Sequence, residues 1–220
     1  MIRVVVVDDE QLVRSGVRMI LGTAPDIEVV ADCAGPQAVA TITTTRPDVV
    51  LLDIRMPETD GLAVLRGLRA AHGDRPGPAV SMLTTFDADE YLTAALQLGA
   101  AGYLLKDAEP ERLIQSVRSL AAGGSTLDPG VTGAVIGGYL DRSGGTPEAL
   151  RAVQALTPRE REVLALLAEG LSNAAIACRM GLAHGTVKDH VSALLSKLGG
   201  INRVQAAVLA DRAGLTGGPR

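Results

Sequence analysis

VVVVDDE, residues 4–10, sets four apolar side chains directly against three carboxylic acids. Four apolar residues in a row do not alternate, so the segment reads as a strand buried on both faces, as in a parallel sheet covered by helices on either side. The acids then leave the strand at its carboxyl end. Carboxylates crowded within a few ångströms repel and raise one another's pKa unless a cation compensates. An all-oxygen donor set suits Mg²⁺, which takes one or two carboxylates together with phosphate oxygens. The stretch asks for a strand, a metal and a phosphoryl group at one place.

Outward from it, short β-branched runs alternate with stretches of helical period. Strands are expected at Ile2 to Val7, Glu28 to Ala31, Asp48 to Leu52, Ala79 to Leu83 and Ala101 to Leu104. Between them Leu12, Val13, Val17, Ile20 and Leu21 form one helical stripe, and Leu62, Val64, Leu65 and Leu68 another. These β-α units predict an α/β doubly wound, flavodoxin-like sheet of five parallel strands over residues 1–122. Ligands bind in such folds beyond the carboxyl ends of the strands. Asp8 and Asp9 leave the first strand there, Asp53 the third, Thr84 the fourth and Lys106 the fifth. A hydroxyl and an ammonium at that edge suit the charge on a transferring phosphoryl group. One Asp at a strand end is ordinarily a turn residue. Five residues of matching chemistry at one edge are not explained that way.

The chain is 220 residues long and 47% hydrophobic, enough for two domains with separate cores. Its net charge of −4 hides an asymmetry: residues 1–149 carry 12 Lys+Arg against 20 Asp+Glu, and residues 150–220 carry 9 against 5. The basic excess of the tail points to nucleic acid. Cys33 and Cys178 fall in different halves and make no disulfide framework, which fits a reducing cytosol. The first apolar run is cut by acids at residue 8, too short for a signal peptide, and no 18-residue apolar stretch follows. A soluble cytoplasmic protein without membrane contact is expected.

Residues 123–152 read as a linker, since eight of the 25 glycines lie between Gly123 and Gly145. Within it VTGAVIGGYL has helical spacing interrupted by glycines, which predicts at most a marginal helix. Order resumes in an all-α domain over residues 153–216. Thr157 to Glu160 forms a capping box with proline at the first helical position, and Leu164, Leu167 and Leu171 give that helix its apolar side. A second helix at Asn173 to Met180 and a third from His184 to Leu198 make a helix-turn-helix, and Asn202 caps a fourth helix.

VVVDDE, LLDIRMPETDG, LTTF and GAAGYLLKD, in that order across residues 1–122, resemble the receiver domain of bacterial response regulators. LTPREREVL, GLSNxxIA and TVKxHV, across residues 155–213, resemble the LuxR-type DNA-binding domain of the NarL/FixJ response regulators. The resemblance implies a two-component regulator, not an enzyme, in which Asp53 is the phosphoacceptor for a sensor histidine kinase. It implies that Asp8, Asp9, Asp53 and the backbone carbonyl of Arg55 bind Mg²⁺. Lys106 then pairs with the phosphoryl oxygens, Thr84 turns its hydroxyl toward them, and Tyr103 is the switch aromatic. Phosphorylation would favour a homodimer that binds double-stranded DNA. The third helix would enter the major groove, with contacts from Asn173, Arg179, Thr186, Lys188, Asp189, His190, Ser192 and Lys197.

The sequence departs from the family pattern in the tail. Ala183 stands where a serine cap is usual, Gly185 sits in the first turn of the third helix, and Ala174-Ala175 replace a common Lys-Glu pair. A lost cap and a helical glycine each cost roughly 1 kcal/mol. Asp189 either repels phosphates or accepts from the N4 amino group of a cytosine. Two other classes compete. A phosphatase of the haloacid dehalogenase type would carry a second aspartate two residues after the nucleophile, where this chain has Arg55. A pure interaction module would use the altered third helix without DNA.

Overall fold

The structure, a computed structural model, describes residues 1–72, 77–84, 89–127, 147–199, 201 and 203–215. The first domain runs β1 (Ile2–Val7), α1 (Gln11–Leu21), β2 (Ile27–Cys33), α2 (Ala38–Thr45), β3 (Val49–Asp53), α3 (Gly61–His72), β4 (Ala79–Thr84), α4 (Asp89–Gln97), β5 (Gly102–Leu105) and α5 (Pro110–Ala121). Every strand pairing is parallel, and the spatial order is β2-β1-β3-β4-β5, extended by β6 (Thr126–Leu127). The non-alternating runs are explained by two cores. Val5, Val7, Val50 and Leu52 pack under α2, α3 and α4 with Ile42, Leu65 and Leu96. Val4, Val6, Val49 and Leu51 pack under α1 and α5 with Leu21, Val117 and Leu120. The register Val4↔Val49 and Val5↔Val50 keeps each face aligned across β1 and β3.

Two features fall inside the stretch expected to be linker. β6 adds a sixth strand beside β5, with Gly102↔Thr126 and Tyr103↔Leu127. A helix, α6 (Pro147–Gln154), precedes the DNA-binding-type domain, and its Leu150 and Val153 join that domain's core. Its sequence, PEALRAVQ, has proline at the start and no glycine. VTGAVIGGYL and Asn202 lie outside the described residues.

The rest of the second domain is α7 (Pro158–Ala168), α8 (Asn173–Met180), α9 (His184–Lys197) and α10 (Arg203–Arg212). Thr157 and Glu160 close a capping box at α7, Ser172 accepts from the Ala175 amide at α8, and Gly181 ends α8 in the left-handed region at φ 65°. Ala183, by contrast, gives α9 no side-chain cap. Val163, Leu167, Ile176, Val187, Val191, Leu194 and Ala210 fill the centre.

The strand order changes direction at β1, so a crevice opens between the carboxyl ends of β1 and β3. Gly61 keeps that crevice's floor in place: its amide donates to the Ile54 carbonyl at 2.9 Å, and a Cβ there would lie 2.1 Å from the Asp53 carbonyl oxygen. Gly61→Ala should therefore cost about 1–3 kcal/mol by overpacking. Gly16→Ala, in α1 with nothing within 4 Å of the added carbon, should be neutral or stabilising by up to about 1 kcal/mol. Urea unfolding of the two variants checks the contrast.

Candidate functional site

β1 and β3 end side by side, which delivers Asp8 and Asp53 to one crevice. Asp8 is completely buried and Asp53 is 3% exposed. Asp9 is nearer solvent, yet carboxylate oxygens of Asp8, Asp9 and Asp53 all lie within 4.8 Å of one another. Lys106, just past β5, brings its ammonium 2.8 Å from Asp8 Oδ2 and 3.1 Å from Asp53 Oδ2, with Glu10 Oε1 at 3.9 Å. Its own amide donates to the Thr84 carbonyl at 2.8 Å, so β4 and β5 hold these two residues together. Thr84 is buried at the end of β4. Tyr103 is also buried, paired with Met82 and packed in the core under α2, α3 and α4. The structure thus brings Asp8, Asp9, Asp53, Thr84 and Lys106 to one sheet edge and sets Tyr103 one layer below it. The Arg55 guanidinium lies over the Tyr91 ring, 5.4 Å from its centroid, and the Arg55 amide hydrogen-bonds the Asp53 carboxylate.

The donor set fits a hard divalent cation. It is all oxygen, and Asp8 Oδ2 and Asp53 Oδ2 are buried without a hydrogen-bond partner. Lys106 meets both at ion-pair distance but out of hydrogen-bonding alignment, so lone pairs stay open. The cluster is able to hold a cation such as Mg²⁺. Burial, then the charge of Asp8, raises the Asp53 pKa from 3.8 to about 6, against the opposing pull of Lys106 and the Arg55 amide. For Lys106, burial alone would lower the ammonium, but Asp8 and Asp53 outweigh it and the net shift is upward.

On the second domain, Thr186, Lys188, Asp189 and Ser192 are exposed along α9, and His190 is half-buried. Arg179, exposed on α8, sits 3.8 Å from Glu169, and Lys197 is ion-paired with Glu160. Asn173 departs from this surface. It is 5% exposed and accepts from Arg203 Nη1 at 2.9 Å, which makes it an interior contact. Arg203 also donates to the Leu171 carbonyl and, across to the first domain, to the Gly123 carbonyl at 2.9 Å. His184 and Lys188 line a cavity of about 700 Å³ together with Arg46, Asp48 and His72. Part of the α9 surface therefore faces the first domain. Sequence pattern gave no sign of Arg203, nor of Arg14 and Asp32 beside the acidic loop, since each acts on partners distant in the chain.

A doubly wound sheet with an acidic edge, joined to a helix-turn-helix, defines a signalling regulator with a nucleic-acid-binding module. Residues 4–118 match the response regulator receiver domain, and residues 154–210 match the bacterial regulatory proteins of the luxR family. The chain is 38% identical over 211 residues to the DNA-binding transcriptional activator DevR/DosR of Mycobacterium tuberculosis, spanning 96% of this chain and 94% of that one. It is 38% identical to the nitrate/nitrite response regulator protein NarL of Escherichia coli over 206 residues, 93% of each. A crystal structure of ChrA, a response regulator of a heme-sensing two-component system, is 39% identical with a TM-score of 0.52 over 97% of this chain and 98% of that one. The chain belongs to the NarL/FixJ-type two-component response regulators, with a receiver domain and a LuxR-type helix-turn-helix DNA-binding domain. Among the described residues no helix is long and apolar enough to cross a membrane.

The Asp53 shift carries a sign for stability. Between pH 3.8 and about 6 the folded chain holds a proton that the unfolded chain has lost. Stability of the metal-free protein from this group should thus fall as pH rises through that window and level off above it. Thermal melting in EDTA at about pH 5 and about pH 7.5 measures this, and Asp53→Asn should flatten the difference. An equally steep profile in the variant would assign the effect to other groups.

Proposed function

We propose that Asp53 accepts a phosphoryl group from a phosphohistidine of a sensor histidine kinase, and that this modification controls dimerisation and binding to double-stranded DNA. The observation that carries the reading is the convergence of Asp8, Asp9, Asp53 and Lys106 within one crevice. An Asp53 carboxylate oxygen attacks phosphorus, the phosphorus–nitrogen bond breaks, and the imidazole leaves. Asp8, Asp9, Asp53 and the Arg55 carbonyl would hold Mg²⁺, which would offset charge on the phosphoryl oxygens. Lys106 would supply a second positive charge, and Thr84 would offer its hydroxyl to the new oxygens. Movement of Thr84 frees space beside Tyr103, so the face formed by α4 and β5 is the route to a dimer. The protein would act in the cytoplasm on target promoters, as the name of its relative DevR/DosR, a DNA-binding transcriptional activator, supports.

In this reading DNA binding moves α9 away from the first domain, since His184 and Lys188 face Arg46, Asp48 and His72 across a cavity. Phosphorylation then acts by favouring the separated state. A shift from 1:99 to 99:1 needs about 5.5 kcal/mol of preference for that state.

Incubation with Mg²⁺ and acetyl phosphate should add one acid-stable, base-labile phosphoryl group, detected by intact mass, and Asp53→Asn should take none. Labelling that persists in the variant would place the acceptor elsewhere. On DNA, Lys188→Ala should weaken binding across all sequences if its partner is a phosphate. The slope of log K against log salt would then fall by about 0.9. An unchanged slope in fluorescence anisotropy titrations would remove Lys188 from the phosphate contacts.

A further inference from the structure

In a strand, successive side chains point to opposite faces. Asp8 and Asp9 are successive, yet both give an oxygen to the cluster with Asp53. The chain must turn between them, and it does: β1 ends at Val7 and Asp9 lies in a bend. One nitrogen spans that bend. Arg14 Nη1 lies 2.7 Å from the Asp8 carbonyl oxygen and 3.1 Å from that of Asp9, donating to both. Two consecutive carbonyls facing one donor is not strand geometry, so the contact is specific to the turned backbone.

The guanidinium is itself fixed. Its Nε is 3.2 Å from Asp32 Oδ2, and Asp32 sits in β2 opposite Val6 and is ion-paired with Arg18 as well. Arg14 is 16% exposed in its side chain, and its amide donates to the Glu10 carbonyl at 3.1 Å as α1 begins. Two further bonds hold Asp8. Its amide donates to the Cys33 carbonyl at 3.1 Å, and its Oδ1 accepts from the Glu10 amide at 2.9 Å. Oδ2, the oxygen near Lys106, is left toward Asp53.

We propose that Arg14, clamped by Asp32, is a positioning residue that sets the bend at Asp8-Asp9 and thereby the spacing of the carboxylates that bind Mg²⁺. The inference rests on the proposed metal-dependent phosphorylation. A planar guanidinium can reach two carbonyls and a carboxylate at once, which a lysine ammonium on its flexible stem does not reproduce. Arg14 touches neither carboxylate of the β1 end and acts through the backbone.

Charge and geometry make opposite forecasts. A cation near a metal site repels the metal, so by charge alone Arg14→Ala should tighten Mg²⁺ binding. The clamp requires that it weaken.

The test is calorimetric titration of MgCl₂ into the full-length protein, without phosphodonor, together with melting in EDTA and in excess Mg²⁺. Arg14→Ala should bind Mg²⁺ about tenfold or more weakly, the usual scale for residues that orient ligands. The Mg²⁺-induced rise in melting temperature should shrink with it, whatever happens to the midpoint in EDTA. Arg14→Lys, which keeps the charge and loses the fork, should also weaken binding. Affinity in Arg14→Ala equal to or tighter than wild type overturns the clamp. If Arg14→Ala does not fold, unchanged affinity in Arg14→Lys overturns it instead. A wild-type protein that takes up no Mg²⁺ would defeat the underlying metal site, an outcome distinct from any ranking of the variants.

Discussion

The structure turns on the repulsion between Asp8 and Asp53, two carboxylates with almost no water around them. Burial, then the charge of Asp8, raises the Asp53 pKa to about 6 even with Lys106 opposing the shift. Lys106 offsets part of that cost, at 2.8 and 3.1 Å, but one ammonium cannot saturate two carboxylates. The remaining negative charge favours a cation in the crevice. The sheet makes the imbalance persist: Asp8 and Asp53 follow strands whose valines and leucines are fully buried, so neither acid can withdraw to solvent without unpairing β1 or β3. Tyr103 lies in the same core as β1 and β3 and is the register partner of Met82 on β4.

Features encoded locally were legible in the sequence. The runs at β1 and β3 announce strands buried on both faces, and Thr157 to Glu160 announces α7 with both reciprocal capping bonds formed. The acidic edge was legible because its members end strands β1 and β3, which topology places side by side. What was not legible depends on partners far apart in the chain. β6 is two residues long and follows two glycines, a pattern that reads as linker until β5 offers it an edge. α6 lies in a segment whose glycine-rich approach masks an otherwise helical sequence. Asn173 carries a surface motif, yet Arg203, 30 residues later, draws it inside. Arg14 reads as one polar position on a helix, since nothing local reveals that Asp32 will hold it.

The charge asymmetry of the two halves also needs qualification. Residues 150–220 have more basic than acidic side chains, but many of the basic ones are engaged within the second domain. Arg159 pairs with Glu162 at 2.7 Å, Arg179 with Glu169 at 3.8 Å and Lys197 with Glu160. Arg203 is buried, and burial pushes its pKa down to about 10, so it stays charged at neutral pH without facing solvent. The positive charge left open on the second domain is therefore less than composition suggests.

Glu160 sharpens this point because it joins two functions. Hydrogen bonding from Lys197, then from the Thr157 amide and hydroxyl, holds its pKa down at about 2. It stays ionised throughout the physiological range, so the capping box at α7 and the pairing with Lys197 do not depend on pH there. Lys197 is thereby held against a carboxylate that is also part of a helix start. The contribution of this pair is modest and screened by salt. The same contact ties the C-terminal end of α9 to the N-terminal end of α7, which fixes the pose of a helix that Ala183 leaves uncapped at its other end. Helix orientation in this domain is thus maintained at the expense of local positive charge.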